Sequence, residues 1–189
     1  MENTNYFSVN VTLHIIPKDC LINLMLPVKD LKAKLQEMCG TDDVYSNIRI
    51  VDFKSSCGLE IAKGENLLFL NSLLEKIQAH DDETKKNLYD LFLASEFKYT
   101  INLFSLEKKI KHYEIFDCDL HGIEETKRVA GGLFYLALAA DCAISSDADG
   151  TLTNEYRYNF YRAGLSSGAI KVANNKYYVM DGELVREYL

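Results

Sequence analysis

The sequence predicts an α+β protein built from three consecutive modules: a small α+β unit over residues 1–64, a central antiparallel helical bundle over 65–111 and an acidic α+β unit over 112–189. Three observations predict it. Apolar residues near the start recur every second position, those in the middle recur at helical spacing, and from Tyr113 onward the pattern is mixed again while acidic residues crowd together.

In the first module Phe7, Val9, Val11, Leu13 and Ile15 alternate with polar or small residues, which marks a half-buried strand. A second strand is expected over Leu21–Leu26. Pro27, whose fixed φ suits a first helical turn, then opens a helix with Val28, Leu31, Leu35 and Met38 on one face, closed by Gly40. Val44–Phe53 reads as a third strand, with Ile48 and Ile50 on one face, followed by a loop over 54–64.

In the second module Leu67, Leu70, Leu74 and Ile77 form one helical stripe with Asn66 placed to cap it. Asp81 can cap the next helix: Asp82 and Glu83 suit the positive end of its dipole, and Leu88, Leu91 and Phe92 face inward. A third short helix is expected over Thr100–Ile110. Short helices on short loops must bury their stripes against one another, hence the bundle. In the third module His112–Phe116 reads as a strand and Ile123–Ala143 as a helix weakened by Gly131 and Gly132. A polar loop over Ser145–Asn154 and an aromatic segment (Tyr156, Tyr158, Phe160, Tyr161) lead to a β-hairpin. Its arms carry Ile170 with Val172 and Tyr178 with Met180, and Asn174-Asn175 tolerate the positive φ of a tight turn.

With 189 residues, 48% of them hydrophobic, only two prolines and no Ser/Gly-rich stretch, the chain can bury a substantial core and offers no flexible linker. The first fifteen residues lack a basic stretch ahead of an apolar core, so no secretory leader is expected. The apolar run Leu133–Ala140 is far short of the roughly 20 residues a membrane span needs. Five scattered cysteines (20, 39, 57, 118 and 142) without a Cys-x-x-Cys pair read as reduced thiols of a cytoplasmic protein.

The formal net charge is −7, and its location is informative. Between Tyr113 and Tyr156 stand nine acids (Glu114, Asp117, Asp119, Glu124, Glu125, Asp141, Asp147, Asp149 and Glu155) against two bases, Lys127 and Arg128; elsewhere acids and bases balance at 19 each. A field of this sign repels nucleic acid and attracts a basic, DNA-binding partner. The lysines at 29, 32 and 34 and at 108, 109 and 111 are interleaved with acids or sit on polar helix faces and read as solvated surface, so direct nucleic-acid binding is not expected.

Chemistry-bearing motifs fall short one by one. Asp147-Ala148-Asp149-Gly150-Thr151-Leu152-Thr153 resembles the nucleophile motif of haloacid-dehalogenase-type phosphatases, a metal-dependent phosphohydrolase reading, but only about forty residues follow it, too few for that fold. Set on a calcium loop, the same string lacks carboxylates at positions 1 and 12, where Ser145 and Tyr156 stand. His112, Asp117, Cys118, Asp119 and His121 are dense in ligand types but fit no zinc spacing, and strand alternation would split them between faces. No catalytic set, metal site or cofactor is expected, and the protein reads as a non-enzyme.

Leu24-Met25-Leu26-Pro27 with the helix after it, and Asn47-Ile48-Arg49-Ile50-Val51-Asp52-Phe53, resemble in order the opening and the next strand of the family of antirestriction proteins of the ArdA type. Phe69-Leu70-Asn71-Ser72-Leu73 resembles the start of its second module. Asp117-Cys118-Asp119 followed by Glu124-Glu125 resembles its acidic third module, and Tyr158–Gly164 with the final hairpin its tyrosine-rich end. The similarity spans roughly residues 20 to 180, carried by collinear order rather than by any one motif.

The resemblance implies an elongated, homodimeric DNA mimic that binds the methyltransferase core of a type I restriction-modification enzyme. Carboxylates on helix faces, about 5–6 Å apart, would replace backbone phosphates in a basic groove. The expected partner-binding ridge is Glu114, Asp117, Asp119, Glu124, Glu125, Asp147, Asp149 and Glu155. Family members spread acidity along their whole length, whereas this chain confines it to one segment. That difference points to a weaker or differently targeted inhibitor, and another DNA-gripping defence complex such as a CRISPR effector is the alternative partner.

Overall fold

Val9, Val11 and Leu13 are fully buried on one face of the first strand, as their alternation requires. In the computed structural model, which describes residues 6–15, 18–39, 48–62, 64–117, 122–141 and 153–188, this strand is β1 (Val9–Ile15). It is the centre of an antiparallel sheet, flanked by β2 (Lys18–Asn23) and β3 (Ile48–Ser55) in the order β2-β1-β3. The described chain contains seven helices and two such three-stranded sheets, an α+β fold, and divides into two compact units, Met1–Lys108 and Lys109–Leu189.

The first sheet departs from the expected strand limits for local reasons. Strand β2 begins at Lys18, three residues before the apolar run, because it pairs back on β1 through Ile15↔Lys18. It stops at Asn23, although Leu24–Leu26 is apolar enough to continue. There Met25 adopts a positive φ of 88°, and the backbone N–H groups of Met25 and Leu26 donate to the side-chain oxygen of Asn71 at 2.8 and 3.2 Å instead of to a neighbouring strand. In β3 the register with β1 skips Val51, since Thr12 pairs with Asp52 and Leu13 with Ile50. This is a bulge that leaves Val51 55% exposed. The first part of the expected third strand, residues 44–47, lies outside the described residues.

Helix α1 (Val28–Cys39) follows Pro27 and buries Leu31 and Leu35. The stretch after β3 is a loop with a buried side. Cys57, Leu59 and Ile61 turn inward, and the Ser55 hydroxyl accepts the N–H groups of Cys57 and Leu59. Burial pushes the Cys57 thiol pKa up.

Helix α2 (Leu67–Gln78) starts where Asn66 accepts the Phe69 N–H, and Leu67, Leu70, Leu74 and Ile77 are buried as their spacing predicts. Helix α3 (Asp82–Ala94) starts at Asp81, which accepts the Thr84 N–H and hydroxyl. Those two bonds hold the Asp81 carboxyl pKa below its ordinary value. Helix α4 (Thr100–Lys109) sets Phe104 edge-on against Phe69 of α2. Sheet and helices share one core: Phe7, just before β1, meets Phe92 of α3, and Asn71 of α2 is the fully buried clasp on the turn after β2.

The second unit opens with a 3-10 turn over Ile110–His112 that carries the residue the sequence assigned to the strand. Strand β4 (Tyr113–Asp117) then pairs with β6 (Lys176–Met180), which pairs with β5 (Ile170–Ala173). Asn174 and Asn175 take the positive φ values, 48° and 59°, of the expected tight turn.

Helix α5 (Ile123–Asp141) runs through both glycines, and Gly131 has a role beyond the expected weakening. A Cβ at Gly131 would lie 1.8 Å from the carbonyl oxygen of Arg157, so Gly131 is the place where a second helix comes to backbone contact. That helix, α6 (Asn154–Ser167), contains the aromatic segment and is capped by Thr153. Its Gly164 leaves room for Ile170, and its Tyr161 packs on Tyr177 of β6, whose ring stacks on Phe116 of β4. The chain closes with α7 (Gly182–Tyr188), which buries Leu184 and Val185. No helix among the described residues is long and apolar enough to cross a membrane.

Candidate functional site

Five of the eight ridge residues fall within the described residues; Asp119, Asp147 and Asp149 lie outside them, as do the phosphatase-like and calcium-like readings centred on the last two. Glu114 and Asp117 are both exposed on β4. Three residues apart on a strand, they project from opposite faces, Glu114 in register with Val179 and Asp117 with Lys176.

Glu124 and Glu125 occupy the first turn of α5, where the positive end of the helix dipole favours carboxylates. Each is matched by a base one turn on. Lys127 donates to Glu124 at 2.6 Å and Arg128 to Glu125 at 2.8 Å, with the carboxylates 62% and 44% exposed. The Glu124 bond holds the Lys127 ammonium pKa above its ordinary value. Glu155 is exposed in the first turn of α6. The fold therefore keeps all five in contact with water, two on a sheet and three at helix starts. Both bases of the acidic segment are committed to two of them within one helix turn.

A tighter grouping involves a residue of the set-aside local cluster with partners from the far end of the chain. His112 is 9% exposed; its Nδ1 lies 3.3 Å from Oδ2 of Asp181 and 3.4 Å from Oε2 of Glu183. The Asp181 N–H donates to the His112 carbonyl oxygen at 2.8 Å, locking the two backbones together. Asp181 also accepts the Leu184 N–H through Oδ1, capping α7 and leaving Oδ2 for the imidazole. Local spacing does not bring this set together, because 69 residues separate His112 from Asp181. The available signal was Asp181 three residues ahead of Leu184, a cap followed by Glu183 and two apolar residues.

Of the local cluster, Asp117 stands at the far end of β4 from His112, and residues 118–121 lie outside the described residues. Compared with known proteins, the chain matches no family model and no curated protein sequence.

Proposed function

We propose that this chain is a non-enzymatic antirestriction protein of the ArdA type, an acidic decoy for the DNA-binding groove of a type I restriction-modification enzyme, acting as a homodimer. The observation that carries the reading is the placement of the whole net charge between Tyr113 and Tyr156, with every described member of the ridge in contact with solvent. Exposed carboxylates at helix starts and on a strand supply fixed negative charge without a catalytic group, which is what competition for a cationic cleft requires.

Phage plating on a restricting host tests it. A variant carrying Glu114→Lys, Asp117→Lys, Glu124→Lys and Glu155→Lys, checked for folding by circular dichroism, is expected to lose protection, while the wild type raises plating efficiency. Purified wild type should co-elute with a type I methyltransferase in size exclusion and separate from it as salt rises, because exposed charge pairs are screened. Full protection by the folded variant, or no co-elution at low salt, would overturn the proposal.

A further inference from the structure

From the ligand types and spacing of His112, Asp181 and Glu183, we infer a binding site for one divalent transition-metal cation of the zinc class, separate from the carboxylates of the acidic ridge. The interatomic distances carry the argument. An imidazolium donating to a carboxylate settles at about 2.7–2.9 Å, whereas both oxygens here stand off at 3.3 and 3.4 Å. Zinc holds imidazole nitrogen and carboxylate oxygen at about 2.0–2.2 Å, and the edge of a tetrahedron with such bonds is about 3.3–3.5 Å long. The three ligand atoms all lie within 4.8 Å of one another. Closing the remaining oxygen-to-oxygen distance needs only rotation of Glu183, whose side chain is 71% exposed.

The supports of the site match what such a centre requires. The imidazole is nine-tenths buried and turns its nitrogen toward the carboxylates, so its orientation is fixed by packing. Asp181 is held by the Leu184 N–H on its other oxygen, an outer bond of the kind that fixes a metal-ligating carboxylate. One nitrogen and two oxygens favour a borderline cation over calcium or magnesium, which take oxygen ligands alone. The solvent side leaves a fourth position for water. A cation there would staple α7 to the turn that leads into β4.

Titration calorimetry on the full-length protein, kept reduced, tests the inference with zinc chloride, calcium chloride and magnesium chloride as probes. One zinc per chain is expected, with no heat from calcium or magnesium, and a higher melting temperature in the presence of zinc. Two variants spare the fold. Glu183→Gln changes an exposed side chain, and Asp181→Asn keeps an oxygen able to cap α7. Each should weaken zinc binding at least tenfold while leaving the metal-free melting temperature near that of the wild type.

Cobalt separates this site from the cysteines, because nitrogen and oxygen ligation gives weak visible bands without the intense near-ultraviolet thiolate absorption. Absence of zinc binding, a loss of less than tenfold in both variants, or a thiolate band on the stoichiometric cobalt would each overturn the site.

Discussion

Gly131 and Arg157 meet backbone to backbone: the position a Cβ would take on Gly131 is 1.8 Å from the Arg157 carbonyl oxygen and 2.9 Å from the Tyr161 nitrogen. This contact sets how closely α5 and α6 approach. Gly131→Ala cannot be absorbed by a side-chain rotation, because what it strikes is main chain. The expected cost is at the upper end of overpacking effects, about 3 kcal/mol. Gly132→Ala, whose Cβ would find nothing nearer than 4.0 Å, is expected to be neutral or to stabilise by up to about 1 kcal/mol through helix propensity. Urea unfolding of the two variants side by side checks the pair; equal midpoints would contradict the close approach.

Asn71 is fully buried and makes three bonds to the backbone of Met25 and Leu26, accepting two N–H groups and donating to the Leu26 carbonyl. Asn71→Leu keeps the branching at Cγ but is bulkier and leaves those part-buried groups without their partner, an expected loss of about 1–3 kcal/mol. Asn71→Asp keeps an acceptor for the Met25 and Leu26 N–H groups but sets a second oxygen against the Leu26 carbonyl and a charge in a fully buried position, so it should destabilise as well. Chemical denaturation ranks them, and an Asn71→Leu variant as stable as the wild type would rule out the clasp.

Tyr113 is 7% exposed, its hydroxyl has no hydrogen-bond partner among the described residues, and burial pushes its pKa up to about 12. Unfolded, the phenol ionises near pH 10. Between those values the unfolded chain releases a proton that the native chain retains, so stability is intact below about pH 10 and falls as pH rises toward 12. The full difference is on the order of 2–3 kcal/mol. Tyr113→Phe should match the wild type at pH 7, keep its edge-on packing with Tyr178 and fall less steeply above pH 10. Stability curves at pH 8, 10 and 11 decide it: parallel decline in both proteins would show that Tyr113 is not responsible.

What the sequence made legible is what local chemistry settles. Asn66 and Asp81 cap their helices, the stripe from Leu67 to Ile77 is buried, and Asn174-Asn175 turn the hairpin, all from neighbours within a few residues. What it hid depends on distant partners. Nothing near Met25 announces that Asn71 will take its N–H and end the strand early. Gly131 looks like a helix breaker until Arg157 is set against it, and His112 was weighed with the wrong acids because Asp181 and Glu183 are remote in the chain. For the ridge, residue type foretold exposure, but strand alternation places Glu114 and Asp117 on opposite faces, and the bases that answer Glu124 and Glu125 stand on the same helix.

The clasp made by Asn71 has a consequence for how the polypeptide can be divided. A chain synthesised from its amino end leaves the bend at Met25 incomplete until 46 further residues have been added. A nick in the loop between β3 and α2 would accordingly yield two fragments, each missing what the other carries. Mixed together they should reassociate and restore the native signal of the first unit, which neither regains alone.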